Sequence, residues 1–67
     1  MKIILNHTPE TLPADISTIS KLLSYKNFSF PRIVVKINGT LIRKDEYPEA
    51  IIREDDQVEI IHLISGG

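Results

Sequence analysis

The last two residues of the chain carry its sharpest chemical signal. Of three glycines, Gly39 follows an asparagine in mid-chain, and the other two, Gly66 and Gly67, close the sequence. An α-carboxyl group titrates at about 3.3–3.7, so a Gly67 carboxylate is an anionic oxygen nucleophile at neutral pH. Glycine lacks a β-carbon, and two in succession let a backbone thread a narrow channel. From Ile64 through Ser65 to Gly67, four extended residues reach roughly 13–14 Å. The chain has no Gly-rich phosphate loop, so activation by a nucleotide requires another protein's active site. A frayed terminus has the same composition, and the two glycines alone leave both readings open.

No other set of residues assembles a reactive centre. Cysteine is absent, which excludes disulfides, thiolate metal sites and cysteine nucleophiles. His7 and His62 are the only histidines and lack metal-ligand spacing. Asp45-Glu46 and Glu54-Asp55-Asp56 read as solvated turns rather than an acid/base pair. No serine stands in a nucleophile-elbow context. Lys36, Arg43 and Lys44 are too few for phosphate binding, although they suit an acidic partner surface. Eight basic and nine acidic residues are interspersed to a net charge of −1, without the basic excess of a nucleic-acid binder. No apolar run is long enough to span a membrane, and Met1 to Leu5 is too short for a signal-peptide core. The expectation is a cytoplasmic protein with no metal, no cofactor and no catalytic residues of its own.

The elements that must present the tail follow from periodicity. Sixty-seven residues make one domain, which buries only about 60% of its unfolded surface. Residues 1–7 and roughly 11–14 read as short strands around Thr8-Pro9-Glu10, which has turn chemistry. Ile19, Leu22 and Leu23 set a helical period over 18–27, with Ser17 or Thr18 as N-cap and Asn27 as a left-handed terminator. Pro31 closes that segment. Ile33 to Ile37 is a β-branched strand, and Asn38-Gly39 turns it into Thr40-Leu41-Ile42. Residues 45–50 offer a single helical turn capped by Asp45 and anchored by Tyr47. Val58 to Ile64 is the last strand.

Hairpin, helix, hairpin and final strand define an α+β fold of the β-grasp, ubiquitin-like type: a mixed sheet of about five strands covered on one face by one helix. A split βαβ fold is the runner-up, but it requires a second full helix. The domain is expected over 1–64, with 65–67 as a flexible Gly-Gly tail. If Met1, Ile3, Leu5, Val35, Val58 and Ile60 face the helix, along with Ile33 and Ile37, the pleat turns Ile4, Val34, Ile61 and Leu63 outward. These four would form one exposed aliphatic patch at the root of the tail, a docking surface or ordinary surface aliphatics.

These residues resemble a known family, the ThiS sulfur carriers of thiamine biosynthesis. The resemblance covers essentially the whole chain. It rests on Met1-Lys2-Ile3-Ile4-Leu5-Asn6, Leu12-Pro13, Thr18-Ile19-Ser20-Lys21-Leu22-Leu23, Ile37-Asn38-Gly39, Asp56-Gln57-Val58-Glu59-Ile60-Ile61 and the terminal Gly66-Gly67. It implies a non-enzymatic carrier. A ubiquitin-activating-type, ThiF-like adenylyltransferase would adenylate the Gly67 carboxylate with MgATP. A sulfur donor, ultimately a cysteine desulfurase, would convert the adenylate to a thiocarboxylate. A ThiG-like thiazole synthase would take that sulfur to build the thiazole ring. Cytoplasm or plastid stroma is the setting the family implies.

The chain departs from the family pattern where relatives carry a Pro-Arg pair, here Arg43-Lys44. Tyr47 stands where Trp is common, and Asp55 where the acidic turn usually has glycine. Asp55 would be expected to alter that turn, since aspartate tolerates left-handed geometry less easily than glycine. Three other readings remain: the small subunit of molybdopterin synthase, a ubiquitin-like modifier and a non-covalent β-grasp binding module. The first usually has proline just before its glycines, where this chain has His62-Leu63-Ile64-Ser65.

Overall fold

The computed structural model describes residues 1–28 and 32–63. Pro31 and the segment 64–67 lie outside them, and with it the boundary between domain and tail. Two hairpins flank one helix. Strands β1 (Lys2–Leu5) and β2 (Thr8–Thr11) form the first hairpin, and α1 spans Ile19–Tyr25. Strands β3 (Ile33–Ile37) and β4 (Thr40–Ile42) form the second, and β5 (Gln57–His62) follows a 3₁₀ turn at Lys44–Glu46. The sheet order is β2-β1-β5-β3-β4. Here β5 lies parallel to β1 and antiparallel to β3, so the sheet is mixed.

The first hairpin corrects the sequence reading. Its turn is Asn6-His7, with φ of 49° and 68°, and Leu5 pairs with Thr8. Thr8-Pro9-Glu10 is therefore strand rather than turn. The proline is tolerated because β2 is an edge strand, where a missing N–H need not break a ladder. The second hairpin turns at Asn38-Gly39, with φ of 51° and 84°. Positive φ at both central positions is the type I′ geometry that matches strand twist.

At seven residues, α1 is marginal by itself and depends on its caps and its packing. Thr18 accepts the Lys21 N–H at 3.2 Å. The Ile19 and Ser20 N–H groups donate to the carbonyls of Ala50 and Tyr47, at 3.1 and 3.2 Å. The segment after the 3₁₀ turn thereby satisfies helix donors that would otherwise be orphaned. At the other end Asn27 has φ 59°. The Phe28 N–H donates to Leu23 O at 2.8 Å and the Asn27 N–H to Ser24 O at 3.2 Å. Those two bonds make a Schellman cap, with asparagine in the left-handed position.

One face of the sheet packs on α1. Ile3, Val35 and Val58 share a buried cluster with Ile19 and Leu22, and all five are fully inaccessible. Leu12, Ile16, Tyr47 and Ile52 close its margins. Met1, Ile33 and Ile37 pack against it partly buried. The inward set expected from the period-two alternation is the one observed. The 3₁₀ turn starts one residue before Asp45, which lies inside it. Its N-terminus is closed instead by Glu46, whose carboxylate accepts the Arg43 N–H at 2.8 Å.

Candidate functional site

Ser65, Gly66 and Gly67 lie outside the described residues. The part of the site within them is the strand that leads to the tail. β5 occupies the middle of the sheet, and β3 supports it from Ile37↔Val58 to Ile33↔His62. The Leu63 N–H continues this support with a 2.9 Å bond to Arg32 O. β1 pairs with β5 at Ile4↔Gln57 and Leu5↔Val58.

Asn6 then extends the hold of the first hairpin. Its N–H donates to Val58 O at 2.9 Å. Its side-chain Oδ1 accepts the Ile60 N–H at 2.8 Å, and its Nδ2 donates to Ile60 O at 3.2 Å. One primary amide thus serves both backbone groups of a buried residue, as a further rung of strand would. Asn38 holds the other end of β5 with its backbone and its side chain together. Its N–H donates to Gln57 O at 2.7 Å, and its Oδ1 accepts the Gln57 N–H at 2.9 Å. Its Nδ2 donates to Asp56 Oδ1 at 3.0 Å. Sequence reasoning missed both clamps. The available signal was asparagine after an alternating strand, since its amide tolerates left-handed φ and can also bond backbone.

The outer face carries the expected aliphatic residues, with one change of arrangement. Val34 pairs directly with Ile61. Ile61 and Leu63 are 41% and 48% exposed, and Val34 is half-buried. Ile4 is half-buried and stands opposite Gln57. That is four residues back along β5 from Ile61, or roughly 13 Å at strand spacing. Glu59 lies between them, opposite Lys36. The expected single patch is therefore two areas. Val34, Ile61 and Leu63 lie at the tail's root, and Ile4 lies apart beside Pro9. Sequence alternation gives the face of each residue but not the register between distant strands.

Arg43 pairs with Asp45 at 3.6 Å, far out in solvent. Lys36 lies opposite Leu41 rather than beside those two. A shallow groove of about 540 Å³ runs along α1 between Asp15, Ile16, Lys21 and Tyr25, on the helix side of the molecule. Among the described residues no group of three or more His, Asp or Glu side chains is placed to hold a metal. Every buried side-chain nitrogen or oxygen among them has a hydrogen-bond partner. The described body offers a central presenting strand with a small apolar area, Val34, Ile61 and Leu63, on the outer face near its end.

Comparison with known proteins adds the family. The model of the ThiS family matches residues 3–67. The sulfur carrier protein ThiS of Bacillus subtilis is 32% identical over 53 residues, covering 79% of this chain and 80% of that protein. A thiazole synthase of Magnetococcus marinus is 34% identical over all 67 residues, and the chain spans only 20% of that protein's length. The crystal structure of the thiamine biosynthesis protein ThiS from Geobacter metallireducens superposes with a TM-score of 0.86 at 23% identity, each chain covered in full. That likeness establishes the β-grasp fold expected from the order of elements.

Proposed function

The chain belongs to the ThiS family, and from that premise we propose that it is a sulfur carrier for thiamine biosynthesis, with Gly67 as the residue that bears the sulfur. The observation that carries this reading is the family match over residues 3–67, which runs through Gly66 and Gly67.

The chemistry asks little of the chain itself. The Gly67 carboxylate attacks the α-phosphorus of MgATP in a ubiquitin-activating-type adenylyltransferase, and pyrophosphate leaves. A sulfide equivalent, ultimately from a cysteine desulfurase, then displaces AMP from the acyl carbon and leaves a thiocarboxylate. Thiazole synthase consumes that sulfur. The protein is a co-substrate of both partners and binds no cofactor. Gly66 and Ser65 give the carboxylate a slim approach, and the Val34, Ile61 and Leu63 surface docks the body. Ile4 adds a second contact beside Pro9. Support for thiazole synthase as a partner comes from the Magnetococcus protein, where a stretch similar to this chain lies within a thiazole synthase. Covalent linkage of carrier to acceptor raises their effective concentration. Cytoplasm or plastid stroma suits these partners.

The test is the intact mass of the chain after incubation with MgATP, cysteine, a desulfurase and a ThiF-type adenylyltransferase. The expected gain is one sulfur in place of one oxygen, absent when Gly67 is deleted. No gain, with the same partners active on another carrier, would sink the proposal. Addition of thiazole synthase together with its carbon substrates, which take the sulfur, should then return the mass to its starting value.

A further inference from the structure

Asn6 does more at β5 than a turn residue requires. With φ of 49° it fits the first position of the hairpin turn, and a glycine would serve that turn equally well. The side-chain amide has a separate task. It holds both backbone groups of Ile60, at 2.8 and 3.2 Å, and carries the grip of the first hairpin two residues forward from Val58. Ile60 is the last buried residue of β5 among the described ones, and Ile61, His62 and Leu63 after it are exposed. Beyond Ile60, β3 continues to hold the strand through Ile33↔His62 and the Leu63 N–H to Arg32 O, so fixing Ile60 on the β1 side helps set the line along which the end of β5 runs.

We propose that Asn6 is a positioning residue for the carrier reaction, acting through Ile60 to set the direction in which the end of β5 points. This rests on the sulfur-carrier reading. A reacting carboxylate delivered to another protein's active site gains from a fixed approach, and misplacement of about 1 Å can cost on the order of a hundredfold in rate. Without the amide, the end of β5 is steadied by β3, through pairs such as Ile33↔His62, while Ile60 loses two bonds on its other flank. The docking residues Val34 and Ile61 remain paired with each other, so binding to the partner is retained while alignment of the carboxylate suffers.

Asn38 provides the internal control. It has the same residue type and the same turn position, and its side chain makes two bonds at the far end of β5, accepting the Gln57 N–H and donating to the Asp56 carboxylate. A merely structural role predicts that Asn6→Gly and Asn38→Gly behave alike at equal stability. The positioning role predicts divergence. With the carrier as the varied substrate of the adenylyltransferase, Asn6→Gly should lower kcat by on the order of tenfold with KM changed less than about twofold. Asn38→Gly should leave both close to wild type. Backbone ¹⁵N relaxation on the free carriers gives a second readout. Order parameters at Ile61 to Leu63 should fall from about 0.85 toward 0.6 in Asn6→Gly alone.

Equal kinetics for the two variants, or wild-type kcat in Asn6→Gly, overturns the proposal. An inactive wild type refutes the carrier reading instead, and the relaxation contrast then decides on Asn6 independently. If Asn6→Gly fails to fold, Asn6→Asp replaces it. That variant keeps an acceptor for the Ile60 N–H, loses the donor to its carbonyl, and must show the same drop in kcat.

Discussion

Tyr47 shows how a single side chain can tie a domain of this size to pH. Its ring is buried among the core residues, and its carbonyl accepts the Ser20 N–H at the start of α1. Burial pushes the phenol above its usual 10.0, because desolvation penalises the phenolate. The sign follows from linkage. Below pH 10 both folded and unfolded chains keep the proton, and the interaction contributes in full. Above it the unfolded chain ionises first, so stability falls as pH rises through the folded value. Urea unfolding of wild type and Tyr47→Phe between pH 8 and pH 12 checks this. The difference between them should be flat up to about pH 10 and then shift in favour of the phenylalanine variant. A constant difference throughout would show that the hydroxyl stays solvated. Asn6 and Asn38 make a related point at this scale, since each meets a backbone requirement and a side-chain one at once.

Turns, more than strands, decide how these elements meet. The acidic turn before β5 places Asp55 at φ 67°, so the left-handed conformation usual for glycine is kept by an aspartate. Its N–H donates to Lys2 O at 2.7 Å, while Asp56 accepts the Arg53 N–H at 2.8 Å and an amide hydrogen of Asn38 at 3.0 Å. The departure at this position thus leaves the turn in place and stores conformational energy in it. Asp55→Gly should stabilise the protein by about 0.5–1 kcal/mol, the left-handed penalty less the extra freedom of glycine in the unfolded chain. Thermal unfolding should show a rise of roughly 2–8 °C, and a fall would mean that the Asp55 carboxylate has a stabilising role. This turn also marks where sequence ceased to suffice. Strands β3 and β4, the Asn38-Gly39 turn, the Thr18 cap and the Asn27 terminator were legible because each rests on local chemistry. Pro9 misled because its meaning depends on whether a strand lies at an edge, which only the assembled sheet decides. The Asn6 clamp and the separation of Ile4 from Ile61 depend on the register of β1 against β5, a contact between the two ends of the chain.

The molecule divides its hydrophobic residues between two jobs by face. Those on the α1 side hold the fold together, and those on the other side, near the end of β5, are left to solvent. The division yields opposite consequences for similar residues. Leu22 is fully buried, and Leu22→Ala should cost about 2–5 kcal/mol. That is a large part of the roughly 3–10 kcal/mol available to a chain of this length. Ile61 is 41% exposed and paired with Val34, so Ile61→Ser should cost no more than about 1 kcal/mol, mostly from the lost cross-strand pair. Its effect should appear in docking instead. If the outer surface receives the adenylyltransferase, the KM for the carrier should rise by on the order of tenfold with kcat little changed, as for any contact made equally in ground and transition states. This pattern is the reverse of that expected for Asn6→Gly, which spares KM and lowers kcat. Steady-state kinetics on the two variants, at a temperature where both are folded, therefore separates the surface that binds the partner from the clamp that aims the tail. Unchanged kinetics in Ile61→Ser would move the docking site off this face of the sheet, leaving the α1 groove lined by Ile16 and Tyr25 as the next surface to probe.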